Sequence, residues 1–191
     1  MSDHHYMLYK PYGFLSQFIT NAQRKKKKHR FLGELYDFAE GTMSIGRLDE
    51  KSEGLLLLTT DGKVSNEITS KKYDKEYYVQ LDGIVTEEAL QQLHEGIEIS
   101  INGKTYQTLP AKTKIIGDPG FSERSRRIRG DHHGPTSWAS ITINEGKYRQ
   151  VRKMCAAIGF PVLRLIRVRI GDIELGDLGV GEVREVDDLV G

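Results

Sequence analysis

Apolar and polar residues alternate in short segments along the chain, and this pattern predicts strands. In Tyr77–Leu81, positions 77, 79 and 81 are apolar or aromatic and share one face, as in a half-buried strand. The continuous apolar run Gly54–Thr60, closed by Asp61 and Gly62, predicts a buried strand that ends in a turn. Further strands are predicted at Tyr6–Lys10, Trp138–Ile143 and Val162–Ile170, with a hairpin of Ile97–Ile101 and Lys104–Thr108 around Asn102-Gly103.

Other segments carry the pattern of helices. Thr86–Glu95 begins with a residue that can cap a helix and continues with two acidic residues that suit its N-terminal dipole, and Gly96 suits its end. Tyr148–Ile158 has an apolar stripe at helical spacing, and Phe31–Phe38 is predicted as a short helix. The sequence thus predicts fewer helices than strands.

Two polar segments are predicted as loops. Asn21–Arg30 is polar and basic, and Gly117–Pro135 is rich in Gly, Pro, Arg and His. The chain shows neither regular alternation of strands and helices nor a glycine motif of the dinucleotide-binding type. These observations predict an α+β domain around a mixed, mostly antiparallel sheet.

Size and composition favour an ordinary globular domain. The chain has 191 residues, of which 38% are hydrophobic, which fits one domain with a sizeable core, built in two lobes. No apolar run is long enough to cross a bilayer, and the N-terminal residues have no apolar stretch typical of a secretory signal. The single Cys155 excludes an internal disulfide and a cysteine-rich zinc site, so a reducing cytoplasm is the expected location.

The distribution of charge along the chain is uneven. The net charge is only +1, yet basic residues gather in four clusters and the tail after Gly171 is mostly acidic. The basic clusters are Arg24–Arg30, Arg124–Arg129, Lys147–Lys153 and Arg164–Arg169. Any one cluster is more often a solvated surface, but four together favour a basic face that binds a polyanion.

The segment Gly46–Gly54 is the densest candidate for chemistry. It is a polar loop that leads directly into the predicted buried strand, and catalytic groups are often found on loops held by rigid strands. Asp49 follows the apolar Leu48 and is therefore predicted to be drawn inward. Composition alone favours the alternative that a lone aspartate is a solvated surface residue.

Two further residues are candidates with open alternatives. Arg152 lies beside Val151 at the edge of an apolar helical stripe, where an arginine binds a phosphate, pairs with a buried carboxylate, or extends from an ordinary amphipathic helix into solvent. Tyr77 shares its strand face with apolar residues, so it either packs in the core or stacks on a base in a cleft. The histidines form two pairs of sequence neighbours, an arrangement that does not favour a metal site.

Together these segments resemble the RsuA/RluB/RluE/RluF group of RNA pseudouridine synthases. The matching motifs, in the family's order and over nearly the whole chain, are KPYG (10–13), GRLDEKSEGLLLLTTDG (46–62), KEYYV (75–79), EGKYRQVRKM (145–154) and GFPVLRLIRVRIG (159–171). The stretches TLPA, PTSW and GFPVLRLIR are closest to the E type of large-subunit rRNA synthases. The resemblance implies the catalytic fold of that family, with helices flanking the sheet and a central cleft.

The resemblance also implies roles for individual residues. Asp49 matches the catalytic aspartate, Tyr77 the active-site tyrosine, and Arg152 the basic residue that pairs with the aspartate. Arg47 matches a position that helps to hold the RNA open around a flipped nucleotide. The other residues expected to bind RNA are Lys75, Lys147, Arg149, Lys153, Arg126, Arg127 and Arg129.

The expected activity is isomerisation of one uridine to pseudouridine in large-subunit ribosomal RNA, with no metal, nucleotide or organic cofactor. Residues 1–191 would form a single catalytic domain without an N-terminal S4-like RNA-binding domain, acting as a monomer. Two alternatives stay open at this stage. A non-catalytic ribosome-assembly factor needs only the basic clusters, and a metal-dependent nuclease needs several converging carboxylates.

Overall fold

The computed structural model describes residues 2–19, 28–70 and 73–191. The backbone packs as two compact units, Met1–Tyr73 with Arg167–Gly191, and Asp74–Ile166. In chain order the strands and helices are β1 (His5–Lys10), β2 (Phe14–Leu15), β3 (Arg30–Phe31), β4 (Met43–Ile45), β5 (Glu53–Thr59), α1 (Gly62–Thr69), β6 (Lys75–Asp82), α2 (Glu87–Glu95), β7 (Glu98–Ile101), β8 (Lys104–Gln107), β9 (Lys112–Ile116), β10 (Thr136–Ile143), α3 (Gln150–Ala157), β11 (Val162–Ile170), β12 (Ile173–Glu174) and β13 (Val183–Val186).

The first unit is built around β5, in which every residue is buried. Its strand order is β13-β1-β5-β11, and β4 also pairs with β5. The antiparallel register places Leu8 opposite Leu56 and Tyr6 opposite Leu58, so apolar side chains of β1 and β5 pack side by side. Buried strands have near-continuous apolar sequences, which is why GLLLL forms this central strand.

The second unit has the strand order β11-β6-β10-β9, and β11 belongs to both units because the boundary falls within it. Its pairings of β10 with β6 and with β9 are antiparallel. Val79 of β6 and Ile141 of β10 are fully buried in a core that α2 and α3 also line, with Leu93 and Met154. The architecture is therefore α+β with mostly antiparallel pairing, as the sequence predicted.

Helix α2 and the hairpin follow local rules closely. The Thr86 side chain accepts a hydrogen bond from Ala89 N and caps α2, as predicted. Gly96 ends the helix with φ +92°, and a Cβ atom there would lie 2.5 Å from the Thr108 carbonyl oxygen, so only glycine fits. Asn102 and Gly103 both have positive φ, which is the geometry of the predicted two-residue hairpin turn.

The structure differs from the sequence predictions in several elements. Phe31–Phe38 is no helix beyond one 3-10 turn at Leu32–Glu34. Strand β5 is not followed by a simple turn at Asp61 and Gly62. The Asp61 side chain accepts a hydrogen bond from Lys63 N and caps α1, a helix that was not predicted from the sequence. Strands β2, β3, β4, β9, β12 and β13 were not predicted either.

The predicted loop Asn21–Arg30 lies largely outside the described residues, as does most of the Arg24–Arg30 cluster. Within its described part, Arg30 begins strand β3, which pairs in parallel with β2. The other predicted loop is confirmed over Gly117–Pro135, apart from one 3-10 turn at Asp131–His133.

Candidate active site

Asp49 lies on a loop that is anchored on both sides. The Ser16 hydroxyl accepts a hydrogen bond from Leu48 N at 3.0 Å and donates one to Leu48 O at 2.7 Å. Leu48 is buried and Asp49 is half-buried, so the aspartate is partly drawn inward, as its position after Leu48 predicted. After it, Ser52 N donates to Asp49 O at 2.9 Å, and β5 begins at Glu53.

The next residue, Glu50, is held by its backbone and its side chain. Gly13 N donates to the Glu50 carbonyl oxygen at 2.8 Å, and Lys10 Nζ approaches the same oxygen at 3.4 Å. The Glu50 carboxylate lies 2.9 Å from His29 Nδ1. These contacts fix the backbone immediately after Asp49, and rigid support of this kind is what a catalytic side chain needs.

Lys10 is fully buried beside this loop. Its ammonium group donates to the carbonyl oxygens of Pro11 at 2.9 Å and Phe14 at 2.8 Å, in addition to Glu50. Burial lowers the pKa of Lys10 to about 7, although the nearby carboxylates of Glu53, Asp49 and Glu50 raise it. Lys10 therefore connects the turn after β1 to the loop that carries Asp49.

A second buried cation belongs to the same unit. Arg167 on β11 is 4% exposed, and its Nε donates to Leu55 O on β5 at 2.8 Å. Its positive charge also contributes to lowering the pKa of Lys10. With Glu53, which is buried at the start of β5, Arg167 places charges of both signs around Lys10, which also interacts with the Asp49 carboxylate.

Lys10, Ser16, Glu53 and Arg167 were not predicted from the sequence as residues of the site. The sequence contains a signal for Lys10 and Arg167, because a charged residue within an otherwise apolar strand is rarely buried without a partner. Lys10 ends an apolar strand, and Arg167 lies in the apolar run VLRLIRVRI. No local pattern predicts Ser16, because its partner Leu48 lies 32 residues away along the chain.

Tyr77 and Arg152 belong to the second unit. Tyr77 on β6 is half-buried and packs against the apolar core, which agrees with the packing alternative for this residue. Arg152 is half-buried on α3, next to the buried Val151, as its position at the edge of the stripe predicted. Base stacking by Tyr77 and pairing of Arg152 with Asp49 stay predictions.

The segment before α3 is not helical, which corrects the predicted start of this helix. The helix begins at Gln150, and Arg149 before it has φ +50°, in the left-handed region. Lys147 and Arg149 therefore lie on a loop, whereas Lys153 lies on the helix. The Lys153 ammonium group donates to Ser100 O at 2.8 Å and lies 5.3 Å from the Tyr148 ring centroid.

A buried carboxylate fixes this loop. Glu145 is 4% exposed and accepts hydrogen bonds from the Tyr106 hydroxyl, from Leu109 N at 2.9 Å and from Gln150 Nε2 at 2.6 Å. The hydrogen bond to Glu145 raises the pKa of Tyr106. The contacts connect the loop to strand β8 and to the first turn of α3, so the backbone around Lys147 is held at both ends.

The arginines of the loop Gly117–Pro135 divide into two kinds. Arg129 forms an ion pair with Asp82 at 2.9 Å, and its side chain is 16% exposed. Arg126 and Arg127 are exposed. Arg129 thus has a structural partner that the sequence did not predict, whereas Arg126 and Arg127 present their charge to solvent.

The remaining predicted RNA-binding residues differ in exposure. Arg47 is exposed two positions before Asp49, and Lys75 is half-buried at the start of β6. Among the described residues, no group of His, Cys, Asp and Glu side chains has the arrangement of a metal site. Nor does this part of the chain include a helix with the length and apolar character needed to span a membrane.

Comparison with known proteins identifies the family. Residues 4–157 match the family described as RNA pseudouridylate synthase. The chain is 43% identical over 181 residues to the ribosomal large subunit pseudouridine synthase E of Vibrio parahaemolyticus, covering 93% of this chain and 71% of the relative. It is 39% identical over 175 residues to the protein of the same name from Xanthomonas axonopodis pv. citri, covering 90% of this chain and 88% of the relative.

A solved structure agrees with the sequence comparisons. A crystal structure of a pseudouridylate synthase superimposes with a TM-score of 0.76 at 33% identity, covering 97% of this chain and 70% of the other. Both the predicted fold and the predicted resemblance are confirmed, and the chain belongs to the RNA pseudouridylate synthase family.

Proposed function

We propose that this protein isomerises a specific uridine to pseudouridine in large-subunit ribosomal RNA, with Asp49 as the catalytic residue. The observation that carries the proposal is the anchoring of the Asp49 loop at Leu48 and Glu50, beside the buried Lys10. The names of the relatives supply the substrate, since they are large-subunit pseudouridine synthases. Family membership supplies the class of reaction.

The reaction exchanges one glycosidic bond for another. The N1–C1′ bond of uridine breaks, the base turns, and a C5–C1′ bond forms. The proton on C5 is released and N1 takes up a proton, so the product is an isomer of the substrate. Asp49 in its ionised form either attacks as a nucleophile or removes a sugar proton and passes through a glycal-like intermediate. Both routes need a carboxylate in a fixed direction, which the hydrogen bonds on either side of Asp49 support.

The base must leave its stack before it can react, and this unstacking costs a few kcal/mol. Phosphate contacts by basic side chains offset that cost. Arg126 and Arg127 are exposed for such contacts, and the loop that carries Lys147 and Arg149 is held in place by Glu145. Arg47, Lys75, Lys153 and Arg129 are further proposed contacts, and Tyr77 is proposed to stack on the base.

The proposal is tested with Asp49→Asn, which keeps the shape of the side chain and removes its charge. We expect the variant to fold and to bind RNA but to form no pseudouridine, measured as tritium release from C5-labelled uridine in large-subunit rRNA. The matched control is Asp187→Asn, because Asp187 is an exposed aspartate of the same unit. Turnover by Asp49→Asn near that of the unchanged protein would contradict the role of Asp49.

The same assay separates the alternative functions. Isomerisation by the unchanged protein in the presence of EDTA excludes both a metal-dependent nuclease and a factor that only binds rRNA. Mapping pseudouridine in rRNA from cells with and without the protein then identifies the uridine. We expect a monomer, which sedimentation of the free protein and of its RNA complex measures.

A further inference from the structure

Ser16 holds the main chain of the residue before Asp49 on both sides. The Ser16 hydroxyl accepts a hydrogen bond from Leu48 N at 3.0 Å and donates one to Leu48 O at 2.7 Å. Ser16 is 8% exposed and Leu48 is 6% exposed, so water has little access to compete for these bonds. A hydroxyl has a single proton to donate, and here that proton goes to the Leu48 carbonyl oxygen.

The bond to Leu48 O acts directly on the backbone of Asp49. Leu48 O belongs to the peptide group that leads into Asp49, and Asp49 O belongs to the peptide group that leads out of it. Ser16 holds the first group, and Ser52 N holds the second through a bond of 2.9 Å to Asp49 O. Because peptide groups are planar, holding both of them restricts φ and ψ of Asp49 and hence the direction of its Cα–Cβ bond. Rotations about the side-chain bonds then remain to orient the carboxylate.

Ser16 is itself held by bonds that do not involve the candidate catalytic loop. Immediately before it, Leu15 of β2 pairs with Phe31 of β3. Immediately after it, Gln17 O accepts a hydrogen bond from Leu32 N at 2.8 Å. These main-chain contacts flank Ser16, so we expect its backbone to stay in place when its hydroxyl is removed.

We infer that Ser16 is a positioning residue for the isomerisation, and that its hydroxyl directs the Asp49 carboxylate through the main chain of Leu48. The inference rests on the proposed catalytic role of Asp49 and adds the group that sets its direction. A reaction requires its atoms to lie within a narrow range of distances and angles, and a displacement of about 1 Å costs up to about 100-fold in rate. Phosphate contacts are proposed for other side chains, so the affinity for RNA should not depend on Ser16.

Thr59 provides a comparison for a hydroxyl whose role is only structural. It is fully buried in the same unit, and its Oγ1 accepts a hydrogen bond from Asp61 N at 2.9 Å and lies 2.9 Å from His5 Nδ1. Thr59 ends β5, whereas the Asp49 loop precedes the start of this strand. Thr59→Val thus removes a buried hydroxyl with two polar contacts, as Ser16→Ala does, but at the other end of the strand.

The test measures single-turnover tritium release from C5-labelled uridine in large-subunit rRNA, with the enzyme in excess and its concentration corrected for the folded fraction. We expect Ser16→Ala to lower the rate at saturating enzyme by about 10- to 100-fold, with the half-saturating concentration nearly unchanged. Thr59→Val should lose stability in urea denaturation and keep the rate of the unchanged protein. Ser16→Cys fills a similar space with a weaker hydrogen-bonding group, so it should fold and have an intermediate rate.

A rate for Ser16→Ala equal to that for Thr59→Val would overturn the inference. So would a loss confined to the half-saturating concentration, which would assign Ser16 to RNA binding instead. If Ser16→Ala does not fold, Ser16→Cys takes its place, and a rate equal to that of the unchanged protein then overturns the inference. Asp49→Asn in the same assay separates the two proposals. If it is inactive while Ser16→Ala is fully active, only the inference fails, whereas turnover by Asp49→Asn contradicts the proposed function itself.

Discussion

The burial of Lys10 illustrates how single residues hold the candidate site together. A lysine loses hydration when it is buried, and its ammonium group then needs acceptors from the protein. Here the acceptors are the carbonyl oxygens of Pro11, Phe14 and Glu50. Because Glu50 follows Asp49, the position of the candidate catalytic residue depends on a side chain that need not touch the substrate.

The burial of Lys10 should make the stability of the protein depend on pH. Burial lowers the folded-state pKa of Lys10 to about 7, below its ordinary value of 10.5, so between these values the unfolded chain binds more protons than the folded one. Lys10 therefore makes the free energy of unfolding rise with pH through this window, and it has no such effect below the folded-state pKa. Urea denaturation between pH 6 and pH 10 should show the rise in the unchanged protein and a smaller rise in Lys10→Met. Identical pH profiles would show that Lys10 does not titrate in this way.

A few polar contacts of charged residues join the loops of the second unit to its strands and helices. Glu145 joins the loop before α3 to Tyr106 on β8 and to Gln150 in the first turn of the helix. Arg129 joins the loop Gly117–Pro135 to Asp82 at the end of β6. Glu145 thereby orders the loop that carries Lys147 and Arg149, and Arg129 orders the loop that carries Arg126 and Arg127.

Removing the Glu145 carboxylate should destabilise the second unit. Glu145→Ala leaves the Tyr106 hydroxyl, Leu109 N and Gln150 Nε2 without their acceptor, and one buried unsatisfied group costs about 1–3 kcal/mol. We expect a loss of at least that size in the free energy of unfolding, measured by urea denaturation, with partial recovery in Glu145→Gln. The exposed Glu98 provides the control, since Glu98→Ala should change stability by no more than about 0.5 kcal/mol. A loss in Glu145→Ala no larger than in Glu98→Ala would show that the contacts do not order the loop.

Across the whole molecule, charge is distributed unevenly despite a net charge of only +1. Several exposed cations lie on loops, including Arg126, Arg127 and Lys147. Binding of RNA to such a surface releases counterions, so the affinity depends on salt. The number of phosphate contacts can therefore be read from the slope of log affinity against log salt.

This dependence separates the arginines of the loop Gly117–Pro135. Arg126→Met and Arg127→Met should each lower the salt slope by about 0.7–0.9 and leave the free energy of unfolding nearly unchanged, because both residues are exposed. Arg129→Met should instead lower stability modestly, since it removes the ion pair with the partly exposed Asp82 and the hydrogen bond to Pro135 O. Fluorescence anisotropy over a salt series and urea denaturation measure the two effects. A reduced slope with unchanged stability in Arg129→Met would identify it as a phosphate ligand like its neighbours.

The sequence by itself determined the elements whose signals are local. The strands β1, β5, β6, β10 and β11, the hairpin and helix α2 follow from periodicity, capping and turn residues within a few positions of one another. The motif around Asp49 likewise predicted both the family and the loop that carries the aspartate. Phe31–Phe38 shows the limit of local signals, because its residues complete β3 and line a cavity instead of continuing as a helix.

Which polar residues are buried, and what they contact, depends on the packing of segments that are distant in the chain. Ser16 reaches Leu48, Lys10 reaches Glu50, and Glu145 reaches Tyr106 across separations of 32, 40 and 39 residues. No periodicity predicts such pairs, because each depends on how distant segments pack once the core has formed. The sequence thus determined where the candidate catalytic aspartate is, whereas the packing of each unit decided which side chains hold its loop in place.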